Sequence, residues 1–126
     1  MKQVMRIVIG LVGLFNLSIG LGFLFQPARL GRIFFLAPTS IQGLATMRAD
    51  FTAFFCLASL CALYGAWKMR AAPLQVPIAL LGIALTGRFV SIAMDGIIST
   101  TAMPMVAEAV MIAILLLGHR AFQAKT

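Results

Sequence analysis

The chain has 126 residues, of which 62% are hydrophobic and 10% are charged, whereas about 25% of the residues in soluble domains are charged. A soluble domain of this size could not cover so much apolar surface, so the composition predicts a membrane protein. The length allows four spanning helices of about 20 residues in a single domain. The net charge of +7 does not indicate nucleic-acid binding, because the basic residues mostly flank apolar runs, where they set topology.

The first apolar run covers residues 7–25 and follows Lys2 and Arg6. It is longer than the roughly 7–15 apolar residues of a signal peptide, and no small-residue cleavage site ends it. It therefore predicts a retained spanning helix over about residues 4–25, which ends before Pro27 because proline disfavours helix at the preceding residue. Asn16 is the strongly polar residue within this helix.

The connection after the first helix has a helical pattern of its own. Four apolar residues recur at i, i+3, i+4 and i+7: Leu30, Ile33, Phe34 and Ala37. Arg29 and Arg32 lie on another face, so the pattern predicts an amphipathic helix in the membrane interface over residues 28–37. An irregular apolar loop is the alternative, and residues 39–45 are typical of a loop.

Three more spanning helices are predicted over residues 46–67, 74–95 and 104–118. The first of them repeats a small residue every four positions, at Ala58, Ala62 and Ala66, which favours close packing of helices in lipid. Pro104 opens the last helix, and Gly118 is predicted to end it as a C-cap.

The distribution of basic residues predicts the topology. One side of the bundle would hold Lys2, Arg6, Lys68, Arg70, Arg120 and Lys125, and the other Arg29, Arg32 and Arg48. Cytoplasmic loops carry an excess of lysine and arginine, so both termini are predicted to be cytoplasmic.

Polar residues of all four spans are predicted to meet in the outer half of the bilayer. They are Arg88, Asp95, Glu108, Arg48, Asp50, Asn16 and Ser91. Arg88 and Asp95 share a helix face because they are two turns apart, with Ser91 between them. A charge at the centre of a spanning helix costs about 2.5–3.5 kcal/mol, so a shared network is expected, with Arg88 binding Glu108 deep in the membrane and Asp95 nearer the surface.

Three interpretations of this cluster stay open at this stage. It could fix helix packing, it could bind a lipid or small amphipathic ligand from the outer side, or it could carry protons or ions across the membrane. No catalytic residue, metal or cofactor is predicted. The single His119 lies in a basic tail, and Cys56 and Cys61 are five residues apart on different faces of one helix, which disfavours both a metal site and a disulfide.

Three segments resemble the small bacterial membrane family called "domain of unknown function 4345". They are Met47-Arg48-Ala49-Asp50-Phe51, residues 62–67 (ALYGAW), and Gly82…Thr86-Gly87-Arg88…Ser91…Asp95-Gly96 followed by Glu108. The resemblance covers about residues 7–118. It implies a multi-pass protein of the bacterial inner membrane with no assigned biochemical activity and no catalytic residues. Some relatives are labelled phage infection proteins, which implies an accessory host factor, and the general shape is similar to DoxX-like proteins by analogy.

The sequence as a whole predicts an all-α, four-helix membrane bundle without enzymatic activity. The lipid bilayer is its first partner, and a lipid or small amphipathic ligand is the predicted occupant of the polar cluster. The alternatives are a small proton-linked transporter, and a homo-oligomer or subunit of a larger membrane complex that docks through Ala58, Ala62 and Ala66.

Overall fold

The computed structural model describes residues 1–124, and all regular structure in that range is helical. Four helical segments are long and apolar enough to cross a membrane: Lys2–Phe25, Ile41–Lys68, Ala72–Asp95 and Ala102–Gln123. The predicted all-α membrane bundle is confirmed, and by length and composition the chain is a multi-pass membrane protein.

The helical elements follow one another with short connections. They are α1 (Lys2–Phe25), α2 (Pro27–Ile33), α3 (Ile41–Thr46), a π-helical turn (Met47–Phe51), α4 (Thr52–Lys68), a 3-10 turn (Ala72–Leu74), α5 (Gln75–Asp95) and α6 (Ala102–Gln123). The helix predicted over residues 28–37 is present but shorter. Residues 39–45, predicted as loop, are mostly helical, because the Ser40 hydroxyl accepts a hydrogen bond from the Gly43 amide (3.1 Å) and caps α3.

Gly118 does not end the last helix as predicted. The helix continues to Gln123, and Gly118 is buried within it. A Cβ atom at this position would collide with the Cδ1 atom of Ile9 on α1. The glycine therefore permits close approach of two helices, a use that is common in membrane bundles.

The four long helices surround a common core. α1 packs most extensively on α4, and further contacts join α4 to α5, α5 to α6 and α6 to α1. The buried apolar core consists of Met5, Ile9, Val12, Ala62, Ala66, Leu74, Leu81, Leu115 and Phe122. These residues lie in the half of the bundle that contains the Lys2 end of α1 and the Gln123 end of α6, which we call the closed half.

The opposite half, which we call the open half, is packed on one side only. Phe23 of α1 stacks on Phe51 and Phe55, with ring centroids 4.9 and 5.9 Å apart, and Phe34 joins the group. On the other side, α5 contributes no buried residue beyond Leu81. The face of α5 from Arg88 to Asp95 therefore has no tightly packed neighbour.

The small-residue stripe on α4 is used within the chain. Ala58, Ala62 and Ala66 are all buried, which confirms their predicted role in close packing. It also means that the alternative of a docking face for another protein is wrong for this stripe, because helices of the same chain already cover it.

Two exposed hydroxyl groups satisfy their hydrogen bonds inside their own helices. The Ser18 hydroxyl donates to the Phe15 carbonyl (2.6 Å), and the Thr86 hydroxyl donates to the Gly82 carbonyl (2.8 Å). Hydroxyls that face hydrocarbon need such partners, since lipid offers none. At the closed end, the Lys68 ammonium lies 4.2 Å from the ring centroid of Trp67, as in the aromatic belt of a membrane interface.

Candidate functional site

An ion pair between α5 and α6 lies in the open half. The Arg88 Nε atom donates to Glu108 Oε1 over 2.8 Å, and it is the one ion pair within residues 1–124. At 1.5 Å per residue, both residues lie roughly 20 Å from the closed ends of their helices. The predicted pairing of Arg88 with Glu108 is present, and both residues lie within helices long and apolar enough to cross a membrane.

The two partners differ in exposure. The Glu108 side chain is 12% exposed, whereas the Arg88 side chain is 37% exposed. Glu108 is seven residues before the buried Leu115 and shares its inward face of α6. Arg88 shares the face of Leu81 on α5, but in the open half the residues of that face are only partly buried. Only one of its five N–H donors is bonded within residues 1–124, so the terminal nitrogens stay available.

Asn16 of α1 is buried one helical turn below this pair. Its Nδ2 atom donates to the Val12 carbonyl (2.9 Å) and to the Met111 sulfur (3.5 Å). Met111 is three residues after Glu108, so the two side chains lie on adjacent turns of α6. Asn16 therefore lies near the pair, through its contact with Met111, and it forms no hydrogen bond with Arg88 or Glu108.

Two buried oxygen atoms at this site have no hydrogen-bond partner within residues 1–124. They are Glu108 Oε2 and Asn16 Oδ1, and each exposes less than 1 Å². An unmatched acceptor in a low-dielectric interior costs free energy. Such atoms therefore point to a missing donor, either a water molecule or a ligand.

Arg48 does not reach the pair. Its Nε atom donates to the carbonyl of Leu24 over 2.9 Å, in the last turn of α1. The final carbonyls of a helix lack intrahelical partners and carry partial negative charge. Arg48 therefore satisfies the end of α1 instead of an acidic side chain.

Asp50, Asp95 and Ser91 are also outside the pair. All three are exposed, and none forms a side-chain hydrogen bond or ion pair within residues 1–124. Asp95 is the last residue of α5, about 10 Å beyond Arg88, where the membrane interface can hydrate a carboxylate. The predicted network of five charged residues is therefore reduced to one ion pair with Asn16 below it.

Sequence reasoning missed two polar features of the open half. Met111 acts as an acceptor for Asn16, and its only sequence signal is its position on the Glu108 face of α6. The Thr52 hydroxyl is buried without a partner within residues 1–124. It directly follows the π-helical turn, which alters the backbone hydrogen-bond spacing there and has no clear sequence signature.

Two shallow recesses lie elsewhere on the bundle. One of about 250 Å³ is lined by Gln75, Ile78 and His119 near the closed end. The other, of about 470 Å³, is an apolar groove between α1 and α6 that includes Phe15 and Met111. Neither of these two recesses is lined by Arg88 or Glu108. Cys56 and Cys61 are free thiols.

Comparisons with protein-family models, with curated proteins and with solved structures find no match to this chain. The resemblance to the "domain of unknown function 4345" family therefore stays a prediction.

Proposed function

We propose that this chain is a non-enzymatic protein of the bacterial inner membrane with both termini in the cytoplasm. Its Arg88–Glu108 pair binds the polar head of a lipid or small amphipathic molecule from the outer side. The observation that supports this most is the asymmetry of the pair: Glu108 is held in the core, while Arg88 is 37% exposed with its terminal nitrogens free. The exposed side of the guanidinium leaves donors for an anionic group, next to a carboxylate that the core holds in place.

The depth and surroundings of the site suit an amphipathic ligand. The pair lies inside the membrane span but in the open half, so a head group could reach it from the interface. The bilayer and the apolar groove between α1 and α6 would accommodate the tails, since that groove is lined by side chains such as Leu11, Phe15 and Val110. The guanidinium can bind phosphate or carboxylate through two parallel hydrogen bonds.

The direction of the opening is inferred from charge. The closed end carries Lys2, Arg6, Lys68, Arg70 and Arg120, whereas the open end carries Arg29, Arg32 and Arg48. The positive-inside rule places the closed end in the cytoplasm, so the open half would face outward.

A proton-linked transporter is a weaker alternative. Transport across the bundle requires polar groups through the closed half, but the core there is formed by apolar residues such as Ile9, Leu81 and Leu115. A polar path that begins at Arg88 would end at Asn16.

An accessory role in phage infection, or assembly into a homo-oligomer or larger complex, is compatible with lipid binding. The main support for the accessory role in phage infection is the family resemblance. An interface with a partner would have to use surfaces other than the buried α4 stripe.

The proposal is tested by native mass spectrometry of the protein released from its own membrane. The wild-type protein is expected to retain an amphipathic molecule. Arg88→Lys keeps the charge but loses the planar fork, so it should lose most of that molecule while its thermal midpoint changes little. Arg32→Lys, on the exposed face of α2, is the matched control and should behave as wild type. Equal occupancy in wild type and Arg88→Lys would contradict the proposal.

A further inference from the structure

We propose that the ligand of this site has a zwitterionic head in which a primary ammonium, with its N–H donors, adjoins a phosphate or carboxylate. This inference rests on the proposed function and names the class of head group. The two unmatched acceptors, Glu108 Oε2 and Asn16 Oδ1, receive the ammonium, and the free nitrogens of Arg88 bind the anion.

The amide orientation of Asn16 is determined by its neighbours. Its nitrogen faces the Val12 carbonyl and the Met111 thioether, and both of those groups are acceptors. A flipped amide would place oxygen against oxygen, so the observed orientation leaves Oδ1 directed elsewhere. Asn16 is 2% exposed, and only a donor that enters the bundle can reach this oxygen.

Glu108 offers a second acceptor, one turn of α6 away from the Met111 residue that Asn16 contacts. Its Oε1 atom is occupied by Arg88, while Oε2 is buried and unmatched within residues 1–124. An ammonium carries three donors and can serve more than one acceptor. A quaternary ammonium has no N–H and would leave both oxygens unmatched.

Charge balance favours a zwitterion over a simple anion. Arg88 and Glu108 are formally neutral together, so a zwitterion leaves the site neutral. An anionic head without an ammonium would add a net negative charge beside a buried carboxylate, at a large desolvation cost. The site thus combines a cation for the anionic group with a carboxylate and an amide oxygen for the ammonium.

The test compares three phospholipids with identical acyl chains: phosphatidylethanolamine, phosphatidylcholine and phosphatidylglycerol. Delipidated protein is incubated with each lipid, and retention is measured by native mass spectrometry. We expect retention of the ethanolamine lipid to exceed that of the choline lipid about tenfold, since a hydrogen bond to a charged group has that order of effect. The choline lipid has the same net charge and phosphate but no N–H, so it isolates the ammonium contacts.

Substitutions at the two acceptors test whether they cause the preference for the ethanolamine lipid. Glu108→Gln and Asn16→Leu should each reduce the ethanolamine-to-choline ratio towards one. Asp95→Asn, which removes a carboxylate two turns from Arg88 on α5, should leave the ratio unchanged. Soluble glycerophosphoethanolamine distinguishes the sources: competition by it at micromolar concentration would identify a free zwitterion, and its failure to compete would identify a membrane lipid.

Two results overturn the inference alone, and a third overturns the proposed function with it. One is equal retention of the choline and ethanolamine lipids, and the other is strongest retention of the glycerol lipid. If the wild-type protein retains the lipid in question and Arg88→Lys does not, only the assignment of the ammonium fails. The proposed function then stands, because Arg88 is still required for lipid binding. If no lipid is retained and both oxygens are found bonded to ordered water alone, the inference and the proposed function both fail.

Discussion

At the scale of single residues, the account depends on where each charge can find a partner. Glu108 is buried and needs a cation, and Arg88 supplies one over 2.8 Å. Arg48 instead binds the Leu24 carbonyl, and Asp95 is exposed at the end of its helix. The pair was predictable because both residues interrupt apolar runs at similar depth. The partner of Arg48 was not predictable, because it is a backbone carbonyl, and every residue in the chain has one.

The energetic role of the pair can be separated from its binding role. Glu108→Ala leaves Arg88 without a counter-charge, so we expect the free energy of unfolding to fall by about 1–3 kcal/mol, less than for a fully buried pair because Arg88 is partly exposed. The double variant Arg88→Met, Glu108→Leu removes both charges and should recover most of the loss. Unfolding in mixed micelles measures both.

Asp95→Ala is the control and should lie within about 0.5 kcal/mol of wild type. A double variant less stable than Glu108→Ala would contradict this prediction, since it would show that the pair itself stabilises the bundle. Recovery of stability without recovery of lipid retention is the expected outcome.

At the scale of helices, glycine and alanine determine which surfaces meet. The number and order of the spanning helices were predictable, because each is a long apolar run. The helix over residues 41–46 was not predictable, because this short helix depends on its Ser40 cap. The role of Gly118 was not predictable either, because a glycine inside a helix cannot be told from a glycine at a helix end by sequence alone. The meaning of Gly118 becomes clear only when Ile9 is seen against it.

The contact of α1 with α4 should be sensitive to side-chain size. A Cβ at Gly20 would lie 3.2 Å from the Cys56 amide nitrogen and 3.3 Å from the Phe55 Cβ, atoms that cannot rotate away. Gly20→Val should therefore destabilise the protein by about 1–3 kcal/mol. Gly87→Val is the matched control, because no atom lies within 4 Å of a Cβ there, and it should be neutral or slightly stabilising. Equal losses in both variants, measured by thermal unfolding, would mean that α1 and α4 do not pack as described.

At the scale of the whole molecule, the two halves of the bundle differ in how they are packed. The closed half is an apolar core that holds four helices together, and the open half exposes one face of α5 beside a buried carboxylate. Composition and charge distribution predict the membrane and the topology. They do not predict the opening, which arises because α5 is fully buried only in its first turns, at Pro77 and Leu81, and is partly buried or exposed beyond them.

Thiol accessibility tests the central claim, that Arg88 lies on a face inside the membrane span that water and ligands reach from the outer side. In a variant with Cys56 and Cys61 replaced by alanine, single cysteines are introduced as Ser91→Cys, beside Arg88, and as Ala109→Cys, which is exposed next to Glu108 on the lipid side of α6. A membrane-impermeant maleimide added to intact spheroplasts should label position 91 and leave position 109 unlabelled. Labelling of position 91 only from the cytoplasmic side, or equal labelling of both positions, would contradict the account.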